Sequence, residues 1–282
     1  MQERRNRRGF NEYFVEHQHL RLNDLKQEAE KFGLENKYLC KENIIPEYPR
    51  PEFHVSHLKH DTDGDGLKRI MKDGGFRDPF TDGLVWWSLK VGPEEVTSAE
   101  ARLLENSFPG AHPQKKSFLG KFATSPAFLE TSRLGSYRFT FPLEEVLEAY
   151  SEQLCSGAQP HMRVYETVLY KQEVMYVVLV HSPDNEELFS KYPLLTDDPN
   201  AVCVYRDGKF IWRPEAMCET HSYRLIRRDD AKKMEAKKVP GRDEFYVWDN
   251  VAVALHVEGE FNFQQKPPIS YVGVSDLMEV EN

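Results

Sequence analysis

The sequence feature that most constrains the fold is a nearly unbroken apolar run, VMYVVLV, between Val174 and Val180. A strand with one solvent-exposed face alternates apolar and polar residues, whereas here both sets of alternate positions are apolar. We therefore predict a strand that is buried on both faces, at the centre of the sheet to which it belongs.

Strand-like and helix-like segments alternate around this run. The strongest local signal is Asp207-Gly208 between two apolar stretches, which predicts a hairpin with a tight turn. Residues 227–244 are highly charged and predict a loop or an exposed helix. The whole pattern predicts an α+β fold with a mixed, strand-rich core sheet and flanking helices. Strands are predicted in 52–58, 83–91, 163–183, 201–214, 221–226 and 244–257, helices in 66–76 and 93–108, and a strand running into a helix in 136–155.

The N-terminal part differs in composition from the rest. Residues 11–40 show apolar residues at three- and four-residue steps, which predicts a helix. Pro46, Pro49 and Pro51 follow and indicate an extended linker. We therefore predict a basic tip, helix and Pro-rich linker in 1–51, a main α+β domain in 52–258, and a C-terminal tail in 259–282.

Charge and composition bear on location and partners. The formal net charge is −9, which argues against a protein that coats nucleic acid, although a local basic patch stays open. We see no apolar run of about 18 residues and no secretory-type apolar segment behind the N-terminus, so we expect no membrane association. The four cysteines are widely spaced, which favours reduced thiols in the cytoplasm. An arginine cluster at residues 4–8 leaves a nuclear location open.

The stretch DTDGDG, starting at Asp61, suggests either a calcium loop or the turn into a helix. Lys68 and Lys72 stand where a calcium loop needs an apolar residue and a bidentate Glu, so we favour the helix. Three histidines spaced by three precede it, but in an extended segment they alternate between faces. We therefore predict no metal site here.

The same region resembles a known fold. A strand carrying His54-Val-Ser56 is followed by a helix that ends at Ile70, Gly74 and Gly75-Phe76. This order is similar to the opening of the ADP-ribosyltransferase fold. The resemblance implies that His54 holds a ribose hydroxyl of NAD, which serves as a substrate, and that Ser56 and Gly75 help to bind it.

Later segments extend the resemblance to about residue 182. KFATSPAFLETSRLGSYRF looks like the region that carries the nicotinamide-stacking Tyr, and YKQEVMYVVLV offers a Glu at the start of a late strand. An aromatic face holds the leaving ring, and a carboxylate stabilises the oxocarbenium-like charge. The resemblance thus implies an NAD-dependent site. Its catalytic residues are Glu173, His54 and Tyr137, and its cofactor-binding residues are Ser56, Gly75, Ser125 and Phe128.

A second resemblance covers residues 52–258. Segments such as LVWWSLKVGPEEVTSAEARLLE look like a large multigene family of bony fishes, some branches of which are interferon- or virus-induced, including the Gig-type antiviral genes. It implies a role in innate antiviral defence. The alternative to an enzyme is a non-catalytic interaction module, whose N-terminal helix and aromatic hairpin bind an unknown protein partner. Convergence of His54, Tyr137 and Glu173 in one cleft would favour the enzyme.

Overall fold

The computed structural model describes most of the chain as one strand-rich fold. Five helices are described, none of which has the length and apolarity that crossing a membrane requires. The helices are α1 (Leu22–Phe32), α2 (Gly64–Asp73), α3 (Pro93–Ser107), α4 (Leu143–Leu154) and α5 (Glu186–Phe189). The described residues are 1–6, 9–34, 51–78, 82–107, 109–110, 119, 125–128, 130–132, 134–170, 173–215, 223–227, 234–238, 248–263 and 268–274.

Sixteen strands are described, and they form one large sheet and three small ones. The first eight are β1 (Gln2–Arg5), β2 (Asn11–Glu16), β3 (Phe53–Val55), β4 (His57–Thr62), β5 (Gly75–Phe76), β6 (Leu84–Leu89), β7 (Tyr137–Pro142) and β8 (His161–Tyr170). The others are β9 (Glu173–His181), β10 (Cys203–Arg206), β11 (Lys209–Trp212), β12 (Tyr223–Arg227), β13 (Met234–Lys238), β14 (Trp248–His256), β15 (Phe261–Asn262) and β16 (Ile269–Tyr271).

The large sheet has nine strands in the order β1-β2-β8-β9-β14-β6-β4-β7-β16. The pair β9–β14 is parallel, and the other neighbours pair antiparallel. The apolar run between Val174 and Val180 forms β9, and all its residues except Met175 are fully buried. The predicted central strand is confirmed, as is the mixed, strand-rich α+β class.

Each face of the sheet carries an apolar cluster. Val174, Tyr176 and Val178 project into the larger cluster, which includes residues of α1, α3 and α4. Val177 and Leu179 project into a smaller one, which Phe189 of α5 helps to cover. Because both faces are covered, both sets of alternate positions in β9 must be apolar.

The N-terminal residues belong to this sheet. β2 pairs with β8, and β1 pairs with β2, so β1 is the outermost strand on one side of the large sheet. In the described part of the predicted helix, residues 11–34, the strand β2 comes first and the helix is α1. Phe14 and Val15 are adjacent and project into the apolar clusters on opposite faces of the sheet, as successive residues of a strand do. The predicted boundary at 51/52 does not separate this part from the sheet.

The predicted tail also contributes strands. β15 pairs with β5, and β16 pairs with β7 to form the second edge of the large sheet. Residues 261–262 and 269–271 therefore complete the fold, and the predicted boundary at 258/259 does not mark the end of a structural unit. Residues of the predicted Pro-rich linker before Pro51 lie outside the described residues.

The helix α2 ends at the glycine C-cap that the sequence predicts, but it begins at Gly64, two residues before the predicted start. The Asp63 side chain accepts a hydrogen bond from Gly66 N at 2.7 Å, and Gly74 ends the helix with φ of 79°. The other two aspartates of DTDGDG have separate partners: Asp61 binds Arg138, and Asp65 binds Lys68.

The hairpin around Asp207-Gly208 is confirmed as β10–β11, with both turn residues at positive φ. Its second strand also pairs with β3, which the sequence did not indicate. The charged stretch 227–244 contains β13, which pairs with β12, where a loop or helix was predicted. Pairing with a neighbouring strand overrides the low strand propensity of its charged residues.

Candidate functional site

The structure does not bring the predicted catalytic residues together. Glu173 begins β9 and Tyr137 begins β7, which is four strands away in the sheet. At about 4.8 Å per strand, their backbones are about 19 Å apart across the sheet. The two strands also run in opposite directions, so Glu173 and Tyr137 lie at opposite ends of it.

Glu173 is also enclosed. It is only 2% exposed, and its Oε1 accepts a hydrogen bond from Nδ2 of Asn250 on β14. A carboxylate that stabilises a developing cation must face the substrate. In this structure the Glu173 carboxylate instead faces a neighbouring strand.

Four other predicted residues lie at the end of the sheet where β9 begins. His54 is half-buried on β3, and its Nε2 lies 2.7 Å from Oε1 of Glu52. Ser56 follows, and its hydroxyl donates to Glu95 at 3.4 Å. Ser125 and Phe128 belong to a turn, in which Phe128 packs its ring on Phe53 and Trp212.

Gly75 and Tyr137 are placed by packing. Gly75 pairs with Asn262, and a Cβ there would lie 2.7 Å from the carbonyl oxygen of Phe261, so only glycine fits. The ring of Tyr137 meets that of Tyr271 edge-on, with centroids 5.9 Å apart. Tyr137 therefore belongs to the edge formed by β16.

This edge carries a group of apolar side chains, most of which are exposed. Tyr271 is 78% exposed, and Ile269 lies on the same side of the strand. We call the group the edge surface. Its members are Leu134, Tyr137, Ile269, Tyr271 and Val274.

Among the residues that the structure describes, the backbone of β16 pairs on one side only, with β7. Val272 N donates to Ser136 O at 2.8 Å, toward β7. Antiparallel strands alternate between inward- and outward-directed residues, so Ser270 bonds inward while Ile269 and Tyr271 direct their N–H and C=O outward. Beyond them, Gly273 O accepts from Ser132 N. The outward groups at Ile269 and Tyr271 match the spacing of an added strand.

A buried charged cluster lies just inside this edge. Arg138 on β7 forms a two-pronged pair with Asp61 on β4, with Nε–Oδ1 at 2.7 Å and Nη2–Oδ2 at 2.9 Å. Burial acts to raise the pKa of Asp61, but Arg138 and Lys59 outweigh it and the pKa is lowered. The Lys59 amine donates to Pro126 O at 2.5 Å. Burial, aided by the charge of Arg138, lowers the pKa of Lys59 to about 7.

A second cluster contains residues with the chemistry of metal ligands, which the sequence did not single out. His161 begins β8 and His181 ends β9, and the two are directly opposite each other. Glu186, at the start of α5, lies beside them, so one donor atom of each residue lies within 4.8 Å of the others. The sequence gives one signal for this cluster, the short interval between His181 and Glu186. The strand register that places His161 opposite His181 cannot be seen in the sequence.

Geometry must carry the functional inference for this chain. The predicted seven-residue site is divided among one end of the sheet, the small β5–β15 pair and the β16 edge. The edge surface and the His161 cluster are instead formed by residues that are close in space. Comparisons of the chain with protein-family models, curated proteins and solved structures found no match.

Proposed function

We propose that the protein is a non-catalytic interaction module that binds an extended segment of a partner protein along β16. The observation that carries the proposal is the outward-directed backbone of Ile269 and Tyr271, bordered by exposed apolar side chains. The NAD-dependent transferase is less well supported, because Tyr137 and Glu173 lie at opposite ends of the sheet. A role in antiviral defence stays a prediction from the bony-fish resemblance.

Strand addition needs two things, and this edge offers both. Free N–H and C=O groups supply the hydrogen bonds that a new strand requires, and side chains on alternate residues supply specificity. Tyr271 and Ile269 are two residues apart on one side of the strand, so they contact alternate residues of the added segment. Tyrosine is also among the residue types that contribute most to binding energy at interfaces.

The edge favours an extended partner over other occupants. The three residues of β16 carry no charge, so they offer the phosphates of a nucleic acid no cationic side chain. A helix cannot use the outward backbone groups, because its own are satisfied internally. The partner segment is therefore expected to be extended, with apolar residues at alternate positions.

The edge is held firmly by the strands behind it. β7 is paired on its inner side with β4 over six residues, and Arg138 and Asp61 join the two strands through a buried ion pair. A preformed edge loses little conformational freedom when a strand is added, which benefits affinity.

Site-specific photo-crosslinking tests the proposal. A benzophenone amino acid placed at Tyr271 should give an adduct with one partner segment in cells, whereas the same group at Phe10, beside the opposite edge, should not. The segment is then synthesised as a peptide. Calorimetry should show that Ile269→Pro, which removes an outward N–H, and Tyr271→Lys weaken its binding about tenfold or more.

Phe10→Lys is the matched control, because Phe10 is also an exposed aromatic residue. Equal binding of the peptide to the wild type and to Ile269→Pro would contradict strand addition. A dimer in light scattering that Tyr271→Lys dissolves would identify a second copy as the occupant instead. NAD binding that His54→Ala abolishes would favour the enzyme.

A further inference from the structure

The cluster at His161 has a donor set that proteins use for transition metals. The two imidazoles face each other across the β8–β9 ladder, with ring centroids 5.5 Å apart and planes at 87°. Glu186 adds a carboxylate, and its Oε2 lies 2.8 Å from Nδ1 of His161. Two histidines and one glutamate form a known zinc ligand set that leaves a fourth position open.

His181 has the orientation and protonation of a metal ligand. Its Nδ1 lies 2.7 Å from the carbonyl oxygen of Ser182, which can only accept, so Nδ1 carries the proton and Nε2 the lone pair. A hydrogen bond from the second ring nitrogen to a carbonyl is the usual arrangement around a metal-bound histidine.

The positively charged guanidinium of Arg163 occupies the position that a metal ion would take in this cluster. Its Nε donates to Nε2 of His181 at 2.7 Å, and its Nη2 forms an ion pair with Oε1 of Glu186. A third bond runs from Nη1 to the carbonyl oxygen of Tyr192 at 2.5 Å. The guanidinium therefore uses acceptor atoms that a metal ion would use, and the two cations exclude each other.

We propose that His161, His181 and Glu186 bind a divalent ion of the zinc class, which displaces the Arg163 guanidinium from His181 and Glu186. The side chains of His161 and Glu186 are 41% and 46% exposed, so an ion enters from solvent and meets the buried His181 last. The bond to Tyr192 O can retain Arg163 at the rim. The ion would fix α5 to the end of the β8–β9 pair.

The test measures binding of Zn²⁺ and Co²⁺ to the full chain, by calorimetry for zinc and by visible absorption for cobalt. The wild type should bind one ion, and His161→Ala and Glu186→Gln should each weaken binding about tenfold or more. His54→Ala is the matched control, since His54 also lies against a carboxylate, that of Glu52, and this variant should bind like the wild type.

Arg163→Gln separates competition from a merely structural role. It removes the competing charge while an amide can still donate to Tyr192 O, so zinc should bind more tightly than to the wild type. Zinc should also raise the melting temperature of the wild type and of Arg163→Gln, but not that of Glu186→Gln. The proposal is overturned if millimolar zinc binds neither of the first two proteins, or if binding is unchanged in His161→Ala and Glu186→Gln.

Discussion

Both edges of the nine-stranded sheet are stabilised by an arginine–carboxylate ion pair, but the arginine lies on a different kind of strand at each edge. Near β1, Arg4 holds Glu166 through two bonds of 2.6 and 2.7 Å and also binds Glu12. Near β16, Arg138 holds Asp61 in the same two-pronged manner. Arg4, however, belongs to the edge strand itself, whereas Arg138 belongs to the strand before the edge.

This difference decides what each edge offers to other molecules. β1 has the sequence QERR, and charged side chains on an edge strand discourage the addition of another strand. β16 has the sequence ISY, with no charge of its own. An arginine–carboxylate pair can thus stabilise either edge, but only an arginine on the outermost strand also protects that edge from the addition of another strand.

The two pairs also differ in electrostatic balance. Burial dominates at Glu166 and raises its pKa in spite of Arg4. At Asp61 the charges of Arg138 and Lys59 outweigh burial, and the pKa is lowered. Glu166 is therefore more easily neutralised than Asp61 when its arginine is removed.

The largest effect is expected from breaking these pairs. Arg138→Met should lower the free energy of unfolding by about 3 kcal/mol, because it leaves the Asp61 carboxylate buried without its main partner. Arg4→Met should cost less, because Glu166 can take up a proton. Urea denaturation of both variants at neutral pH measures the difference, and equal losses would contradict the asymmetry.

A smaller, pH-dependent effect is expected from Lys59, which lies on the β16 side. Its folded pKa of about 7 is below its ordinary value, so between pH 7 and 10 the unfolded chain binds a proton that the folded chain lacks. Stability must then rise with pH in this range, by about 1 kcal/mol per unit.

Lys59→Met removes the titrating group and should abolish this part of the rise. Unfolding free energies of the two proteins at pH 7, 8 and 9 provide the measurement. Parallel profiles would show that the amine is not shifted, and would remove one difference between the two sides of the sheet.

The smallest effect is expected at the edge surface itself. Tyr271→Ser and Phe10→Ser each change an exposed aromatic residue and should alter the free energy of unfolding by less than about 1 kcal/mol. Thermal denaturation of the isolated protein is sufficient to measure this. A loss of several kcal/mol for Tyr271→Ser would indicate that its ring is buried, and the edge would then not be free for a partner.

Local signals predicted the elements that local forces determine. The central strand, the Asp207-Gly208 hairpin and the glycine end of α2 follow from burial, turn chemistry and capping within a few residues. Glu173 was expected at the start of a strand and lies there, but its neighbour Asn250 comes from a strand far along the chain.

The sequence did not reveal what depends on long-range pairing. β2 pairs with β8 about 150 residues later, so the basic N-terminus looked like a free tip until its partners Glu12 and Glu166 were known. The His161–His181 pair depends on the register of one ladder, and a slip of one residue would send the two side chains to opposite faces. The edge surface likewise depends on which strand lies outermost in the sheet, and the strand order cannot be seen in the sequence.

The parallel pair at the centre of the sheet has a consequence for biosynthesis. β14 lies between β9 and β6, yet it follows both in the chain by more than 65 residues. Until residues 248–256 leave the ribosome, the strands on its two sides cannot join into one sheet. The growing chain then holds β9, with apolar residues on both faces, as an open edge, which is the kind of surface that aggregates or recruits chaperones.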